Sequence, residues 1–183
     1  MVGTLVAAWR VSPVPPLRGA GTVWVDVFRN TPLLALFLLF LNGLTKVGIR
    51  FSELTTAVIV LAVYTSAFVS ETVRAGINAV SRGQAEAARA IGLTFPQTLA
   101  SVVLPQAVRS VVAPLGNVFI ALIKNSAIAS VIVHEVIRVA DDLNTDTAQP
   151  IPVFLGAAVA YLLLTLPSGF VVGAIERRVA VRR

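Results

Sequence analysis

Between two apolar runs the chain reads Gly83-Gln84-Ala85-Glu86-Ala87-Ala88-Arg89-Ala90-Ile91-Gly92, with Leu104-Pro105 further on. This insertion is rich in alanine, and it is too polar to cross a bilayer. Ser81 and Gln84 have the spacing of a capping box, which marks the start of a helix. Thr94 and Gln97 repeat that spacing, and Gly92 between them supplies a helix stop. The pattern predicts two short helices joined by a tight turn, with small side chains that let another protein approach closely.

The composition places this insertion inside a membrane protein. Of the 183 residues, 56% are hydrophobic and only 13% are charged, and the mean hydropathy is +0.85. Such a chain is typical of a polytopic membrane protein with a single domain, here 1–183, and not of a water-soluble protein. The absence of cysteine excludes disulfides and thiolate sites, and the single histidine, His134, argues against a metal centre. The net charge of +6 lies at the ends of apolar runs, which disfavours nucleic-acid binding.

Four apolar segments are long enough to be membrane-spanning helices, since a span takes about 20 residues. They lie at about 31–48, 54–73, 111–133 and 151–175. Thr31 and Pro32 are expected to be the N-cap and first residue of the first span, and Ser52 the cap of the second. Residues 11–21 carry three prolines and predict a bend, and 22–29 predict a short interfacial helix.

The charges in the connections indicate an orientation. Arginines are concentrated before the first span, in the insertion and at the C-terminus, whereas the two remaining loops are mostly acidic. Because basic residues are retained on the cytoplasmic side, we expect both termini and the insertion to be cytoplasmic. The two acidic loops then face outward.

The spacing of the insertion resembles the EAA loop of ABC-importer permease subunits. The matching positions are Glu86-Ala87-Ala88, Gly92, Val102 (in place of the usual isoleucine) and Leu104-Pro105. Further blocks resemble the polar amino-acid branch of that family, and actinobacterial glutamate permeases within it. These blocks are Arg29-Asn30-Thr31-Pro32-Leu33, Pro105-Gln106-Ala107-Val108-Arg109, Pro114-Leu115-Gly116-Asn117 and Leu122-Ile123-Lys124-Asn125-Ser126.

The resemblance implies an all-α, MetI-like ABC type-1 transmembrane domain whose cytoplasmic two-helix coupling loop occupies about 81–105. Its implied partners are ABC ATPase subunits, a second permease subunit (identical or a sister) and an extracytoplasmic amino-acid-binding protein. The implied function is import of polar amino acids, with glutamate the expected substrate, by alternating access. Pro105 is expected to end the second short helix. The residues implied in ATPase coupling are Gly83, Gln84, Glu86, Ala87, Ala88, Gly92, Leu104 and Pro105.

No cofactor is expected on this chain, because it lacks the G-x-x-x-x-G-K-[ST] sequence that cradles nucleotide phosphates. ATP and Mg²⁺ are expected on the partner ATPase, so this subunit is a translocation component and not an enzyme. Permeases of the branch usually have five spans, and this chain begins where their first helix ends. That start predicts four spans, and its expected explanation is either a misassigned start codon or a truncated protein.

Two charges, Glu71 and Lys124, lie within predicted spans. A charge near a helix centre costs roughly 2.5–3.5 kcal/mol, so such residues usually face a cavity or a partner. One interpretation is a substrate pathway lined by Glu71, Asn117, Lys124, Asn125 and Ser126. The alternatives are that Glu71 pairs with Arg74 at the rim and that Lys124 snorkels or bonds to carbonyls.

Other functions remain open from the residues alone. An ion-coupled secondary transporter or channel would need no ATPase, and it would leave the insertion without a role. A membrane-embedded enzyme would need clustered catalytic groups, and only Glu71 and Lys124 are available. A non-functional fragment is a third alternative, and the insertion itself also fits a solvated hairpin with a Glu86–Arg89 pair.

Overall fold

The computed structural model describes residues 1–179, and these form eight helices without a strand. The helices are α1 (Val2–Val11), α2 (Pro15–Asn30), α3 (Leu33–Lys46), α4 (Glu53–Asn78), α5 (Arg82–Ala90), α6 (Phe95–Val131), α7 (Val136–Thr147) and α8 (Pro150–Val179). The predicted all-α architecture is therefore confirmed.

Three of these helices, α4, α6 and α8, are long and apolar enough to cross a membrane. They correspond to the second, third and fourth predicted spans. The helix α3 is shorter than a span, and it reaches the required length only together with α2, from which it is bent by 103°. The structure thus contains three spans, or four if this bent pair counts as one, which agrees with the expectation of about four.

The junction between α2 and α3 differs from the prediction. Thr31 is the C-cap of α2, and its hydroxyl donates to the Val27 carbonyl at 2.8 Å, so it is not the N-cap of the next helix. Pro32 occupies that N-cap position, and the helix starts at Leu33. A proline disfavours helical geometry in the residue before it, which ends α2 and produces the bend. At its other end α2 begins at Pro15, because a proline is well tolerated in the first turn.

The prediction that Pro105 ends a second short helix is wrong. The helix α6 runs without interruption from Phe95 to Val131 and contains a π-helical turn at Leu99–Val103. In that turn the Leu104 N–H bonds to the Leu99 carbonyl, five residues earlier. The wider turn lies directly before Pro105, where a regular α-helix would lose a hydrogen bond and suffer a clash. The coupling loop therefore consists of the short helix α5 and the first turns of the spanning helix α6.

Buried apolar side chains hold the helices in two clusters. In the first, Phe37 of α3 is fully buried against Val60 of α4 and Ala129 near the end of α6. In the second, Val6 of α1 and Val25 of α2 pack on α4 around a fully buried alanine. As predicted, the Ser52 side chain caps α4 by accepting from the Thr55 N–H at 3.2 Å.

The helix α7 was missed because the loop after the third span was considered only for its charge. Its sequence does carry a helix signal: Val136, Val139, Ala140 and Leu143 recur at helical spacing. Glu135 caps it by accepting from the backbone N–H groups of residues 137 and 138. The same carboxylate accepts from the Tyr161 hydroxyl at 2.5 Å, which ties α7 to α8.

Candidate functional site

The hairpin between α4 and α6 is shaped by a glycine with positive φ. Gly92, at φ +92°, donates its N–H to the Arg89 carbonyl at 3.0 Å. The next residue, Leu93, donates to the Ala88 carbonyl at 3.1 Å. These two bonds form a Schellman motif, which needs a left-handed residue that only glycine adopts without strain. The predicted stop at Gly92 is thus confirmed, with its physical reason.

The two predicted capping boxes have different outcomes. At Thr94 the box is complete, since its side chain accepts from the Gln97 N–H and the Gln97 side chain accepts from the Thr94 N–H. At Ser81 the residue is the N-cap of α5, but its side chain makes no capping hydrogen bond. Instead the Ser81 carbonyl accepts from the Gln84 N–H at 3.0 Å. The helix start was predicted correctly and its side-chain bonds were not.

Most of the predicted coupling residues lie on the free surface of the hairpin. Ala88 is the exception: it is 5% exposed and packs inside the hairpin. The residues with exposed side chains or backbone are Gly83, Gln84, Glu86, Ala87, Gly92, Leu104 and Pro105. No ion pair joins Glu86 to Arg89 or to any other basic group among residues 1–179, so its carboxylate is available to a partner.

A close helix contact connects this hairpin to the bundle, and sequence reasoning missed it. Gly76, near the end of α4, is buried against Val111 of α6, and its carbonyl accepts from the Ser110 hydroxyl at 3.2 Å. A Cβ atom at position 76 would lie 2.0 Å from Val111 Cγ1. Small residues let helix backbones approach closely, and the only signal in the sequence is the glycine itself. The contact joins the two spanning helices close to the points where the hairpin leaves them.

Glu71 lies in a charge cluster built by three helices. Arg10 of α1 and Arg74 of α4 both donate to its carboxylate, and Arg29 Nη1 of α2 lies 3.7 Å from Oε2. The Arg29 guanidinium also sits 5.7 Å from the centre of the Phe68 ring. The structure therefore contains the Glu71–Arg74 pair, which was the alternative to a pathway role. It adds Arg10 and Arg29, which the sequence did not suggest as neighbours of Glu71.

The remaining predicted pathway residues lie in the C-terminal half of α6, away from the hairpin. Lys124 is exposed, and no acidic side chain among residues 1–179 lies within ion-pairing distance of it. Asn125 is half-buried, and the Ser126 hydroxyl donates to the Ile123 carbonyl at 2.7 Å. Ser126 also lines a cavity of about 650 Å³ between α1, α4 and α6. Asn117 is exposed two turns earlier.

The structure does not bring Glu71 and Lys124 together. Gly76 of α4 contacts Val111 of α6, and the cavity between these helices is lined by Leu61 as well as Ser126. The two helices are therefore antiparallel, and Lys124 lies at about the level of residue 63. At 1.5 Å per residue, that level is roughly 12 Å along the axis from Glu71. The two charged residues therefore lie at different levels of the bundle.

Comparison with known proteins identifies the family. Residues 1–181 match the family described as "Binding-protein-dependent transport system inner membrane component". The chain is 42% identical to the glutamate transport system permease protein GluC of Corynebacterium glutamicum, over 99% of this chain and 86% of that protein. It is 39% identical to the probable glutamine ABC transporter permease protein GlnM of Bacillus subtilis, over 97% of this chain and 83% of that protein.

Solved structures agree with this assignment. A crystal structure of an amino acid ABC transporter with histidines aligns with a TM-score of 0.92 at 36% identity, covering 97% of this chain and 83% of the other. An inward-facing structure of the MetNI methionine ABC transporter shares the fold, with a TM-score of 0.77 at 23% identity, covering 98% and 85%. The chain therefore belongs to the binding-protein-dependent inner membrane component family, as a multi-pass, non-enzymatic permease subunit of an ABC importer for polar amino acids.

Proposed function

We propose that the exposed surface of α5 and the adjoining turn is where an ABC ATPase subunit binds and drives transport. The observation that carries this proposal is the exposed Glu86 carboxylate, which has no ion-pair partner in the described part of the chain, on a helix whose turn is fixed by Gly92. A carboxylate without a partner can accept charge-assisted hydrogen bonds from an arginine or backbone of the ATPase. Ala87 beside it is exposed and small, so the ATPase can approach the backbone of α5 closely. A shift of the ATPase then moves α5 with little intervening side-chain motion.

In this proposal the hairpin and both termini are cytoplasmic, and α7 faces outward. The arginine-rich connections support that orientation through the positive-inside tendency. Two ATPase subunits bind below a pair of permease subunits, and an amino-acid-binding protein delivers substrate from outside. Closure of the ATPases on ATP draws the two hairpins together and favours the outward-open state, and hydrolysis resets it. ATP and Mg²⁺ are bound by the ATPase, and this chain binds no cofactor.

Crosslinking tests the docking directly, because the chain has no cysteine and a single introduced one reports a single position. With Gln84→Cys on the exposed face of α5, we expect a reagent with one thiol-reactive and one photoreactive end to link the permease to an ATPase subunit in native membranes. Asp141→Cys on α7 is the control, since it lies in the connection between the third and fourth spans, on the opposite side of the membrane. Failure of Gln84→Cys to capture any ATPase, or equal capture by Asp141→Cys, would contradict the proposal.

For the substrate, we propose glutamate. The support is likeness to GluC permeases at 41–42% identity, together with Lys124 in a spanning helix, whose side chain is exposed and has no ion-pair partner among residues 1–179. The relative GlnM is nearly as similar, so glutamine is the competing substrate to test. Asn125 and Ser126 beside Lys124 supply neutral hydrogen-bonding groups for the amino-acid ends.

We expect Lys124→Met to reduce glutamate uptake about ten-fold and glutamine uptake much less, because the loss of a charge-assisted bond costs about 1.5–3 kcal/mol. Uptake by the complex in proteoliposomes with its binding protein measures both substrates. Lys46→Met, which removes the other lysine at the exposed end of α3, is the matched control and should transport normally. Unchanged glutamate uptake by Lys124→Met would remove this residue from the pathway.

A further inference from the structure

An excess of positive charge accumulates around Glu71 at one end of α4. The cluster contains three guanidinium groups, from Arg10, Arg29 and Arg74, and one carboxylate. Arginine stays protonated in proteins, so three positive charges face one negative charge. The carboxylate offsets only part of the repulsion between the arginines, and a second anion would offset the rest.

Hydrogen-bond donors in this cluster are also left unfilled. Arg29 Nη1 lies 3.7 Å from Glu71 Oε2, too far for a hydrogen bond, and the Arg29 side chain is 43% exposed. The Arg10 Nε atom is buried and has no hydrogen-bond partner among residues 1–179. Buried polar atoms normally have a partner, so the unfilled Nε points to a missing acceptor.

The cluster lies near one end of the spanning helix α4. The helix α4 has 26 residues, or about 39 Å at 1.5 Å per residue, against about 30 Å of hydrocarbon. Glu71 is about 27 Å along that axis from the capped start of the helix, which places it near the far rim of the hydrocarbon.

We infer that Arg10, Arg29 and Arg74 bind the phosphate of an anionic phospholipid at the junction of α1, α2 and α4. Guanidinium groups bind phosphate oxygens through paired, charge-assisted hydrogen bonds, and basic pockets between membrane helices hold lipid headgroups in this way. The bound lipid would brace the bend between α2 and α3. This site is separate from the hairpin and does not depend on the proposed ATPase docking or substrate. Free inorganic phosphate has the same binding chemistry, and the test separates the two sources.

The test uses the permease complex purified from its membranes with its partner subunits. Native mass spectrometry counts phosphatidylglycerol retained after exchange into mixed phosphatidylglycerol and phosphatidylcholine. For Arg29→Gln we expect retention to fall about five-fold, the effect of one basic residue at an anionic headgroup. Arg18→Gln removes the same charge from an exposed position elsewhere on α2 and should retain the wild-type amount. Arg29→Lys keeps the charge but loses the paired hydrogen bonds, so its retention should lie between those of Arg29→Gln and the wild type.

The outcomes separate the alternatives. Equal retention by Arg29→Gln and the wild type, or equal losses in Arg29→Gln and Arg18→Gln, would overturn the inference. If Arg29→Gln does not fold, a folded Arg29→Lys variant that retains the wild-type amount of lipid would overturn the inference, because an ammonium group cannot form the paired hydrogen bonds. In phosphatidylcholine alone, a rise in melting temperature with millimolar phosphate equal to that with phosphatidylglycerol would assign the arginines to free phosphate. No stabilisation by either anion would contradict a phosphate site.

Discussion

Replacement of Glu86 by alanine is expected to reduce ATP-driven amino-acid uptake at least about ten-fold while leaving the membrane fold intact. The side chain is exposed and has no ion-pair partner among the described residues, so its removal costs the isolated permease little. In the proposed complex it accepts charge-assisted hydrogen bonds worth about 1.5–3 kcal/mol. Uptake in proteoliposomes and co-purification of the ATPase measure the two consequences.

Glu176→Ala is the matched control for this experiment. It removes an exposed carboxylate near the end of α8, which is cytoplasmic in the proposed orientation but outside the hairpin. We expect normal uptake and a normal amount of co-purified ATPase. If Glu86→Ala transported as well as Glu176→Ala, the carboxylate would have no part in coupling. The exposed hairpin would then need a different contact residue.

The second large effect is expected at Gly76, in the contact between α4 and α6. In Gly76→Ala the new Cβ would lie 2.0 Å from Val111 Cγ1 and 3.2 Å from the Ala107 carbonyl oxygen. Val111 is β-branched and buried, so it has few other rotamers to adopt. Overpacking of this kind destabilises by about 1–3 kcal/mol. We expect a clearly lower melting temperature of the detergent-solubilised protein, together with weaker coupling between ATP hydrolysis and uptake.

Two further variants separate overpacking from the general effect of replacing a helical glycine. Gly156→Ala in α8 adds a Cβ with nothing within 4 Å, and it should be neutral or slightly stabilising because alanine favours helices. The double variant Gly76→Ala with Val111→Ala removes the clashing methyl group and should recover much of the lost stability. No recovery in the double variant would show that the clash with Val111 is not the cause.

The expectations that the structure confirmed rest on local signals. Ser52, Thr94 and Gly92 act on backbone groups within a few residues, so the sequence around each one is sufficient to predict a cap or a stop. The three long spans follow from apolar length alone. The predictions at Thr31 and Pro105 were wrong because the effect of a proline depends on the hydrogen bonds that the neighbouring residues make. The π-helical turn before Pro105 accommodates the missing N–H of the proline, so the helix continues.

By itself, the amino-acid sequence determined the all-α membrane class, the long spans and the capped hairpin, because those follow from composition and from contacts between near neighbours. The helix packing was needed to show that Glu71 is held by Arg10 of another helix, that Gly76 is pressed against Val111, and that Glu71 and Lys124 lie at different levels. These pairings join residues distant in the chain, and they depend on which helices lie side by side and at what register. Periodicity along one helix does not encode that choice; the packing of side chains between helices does.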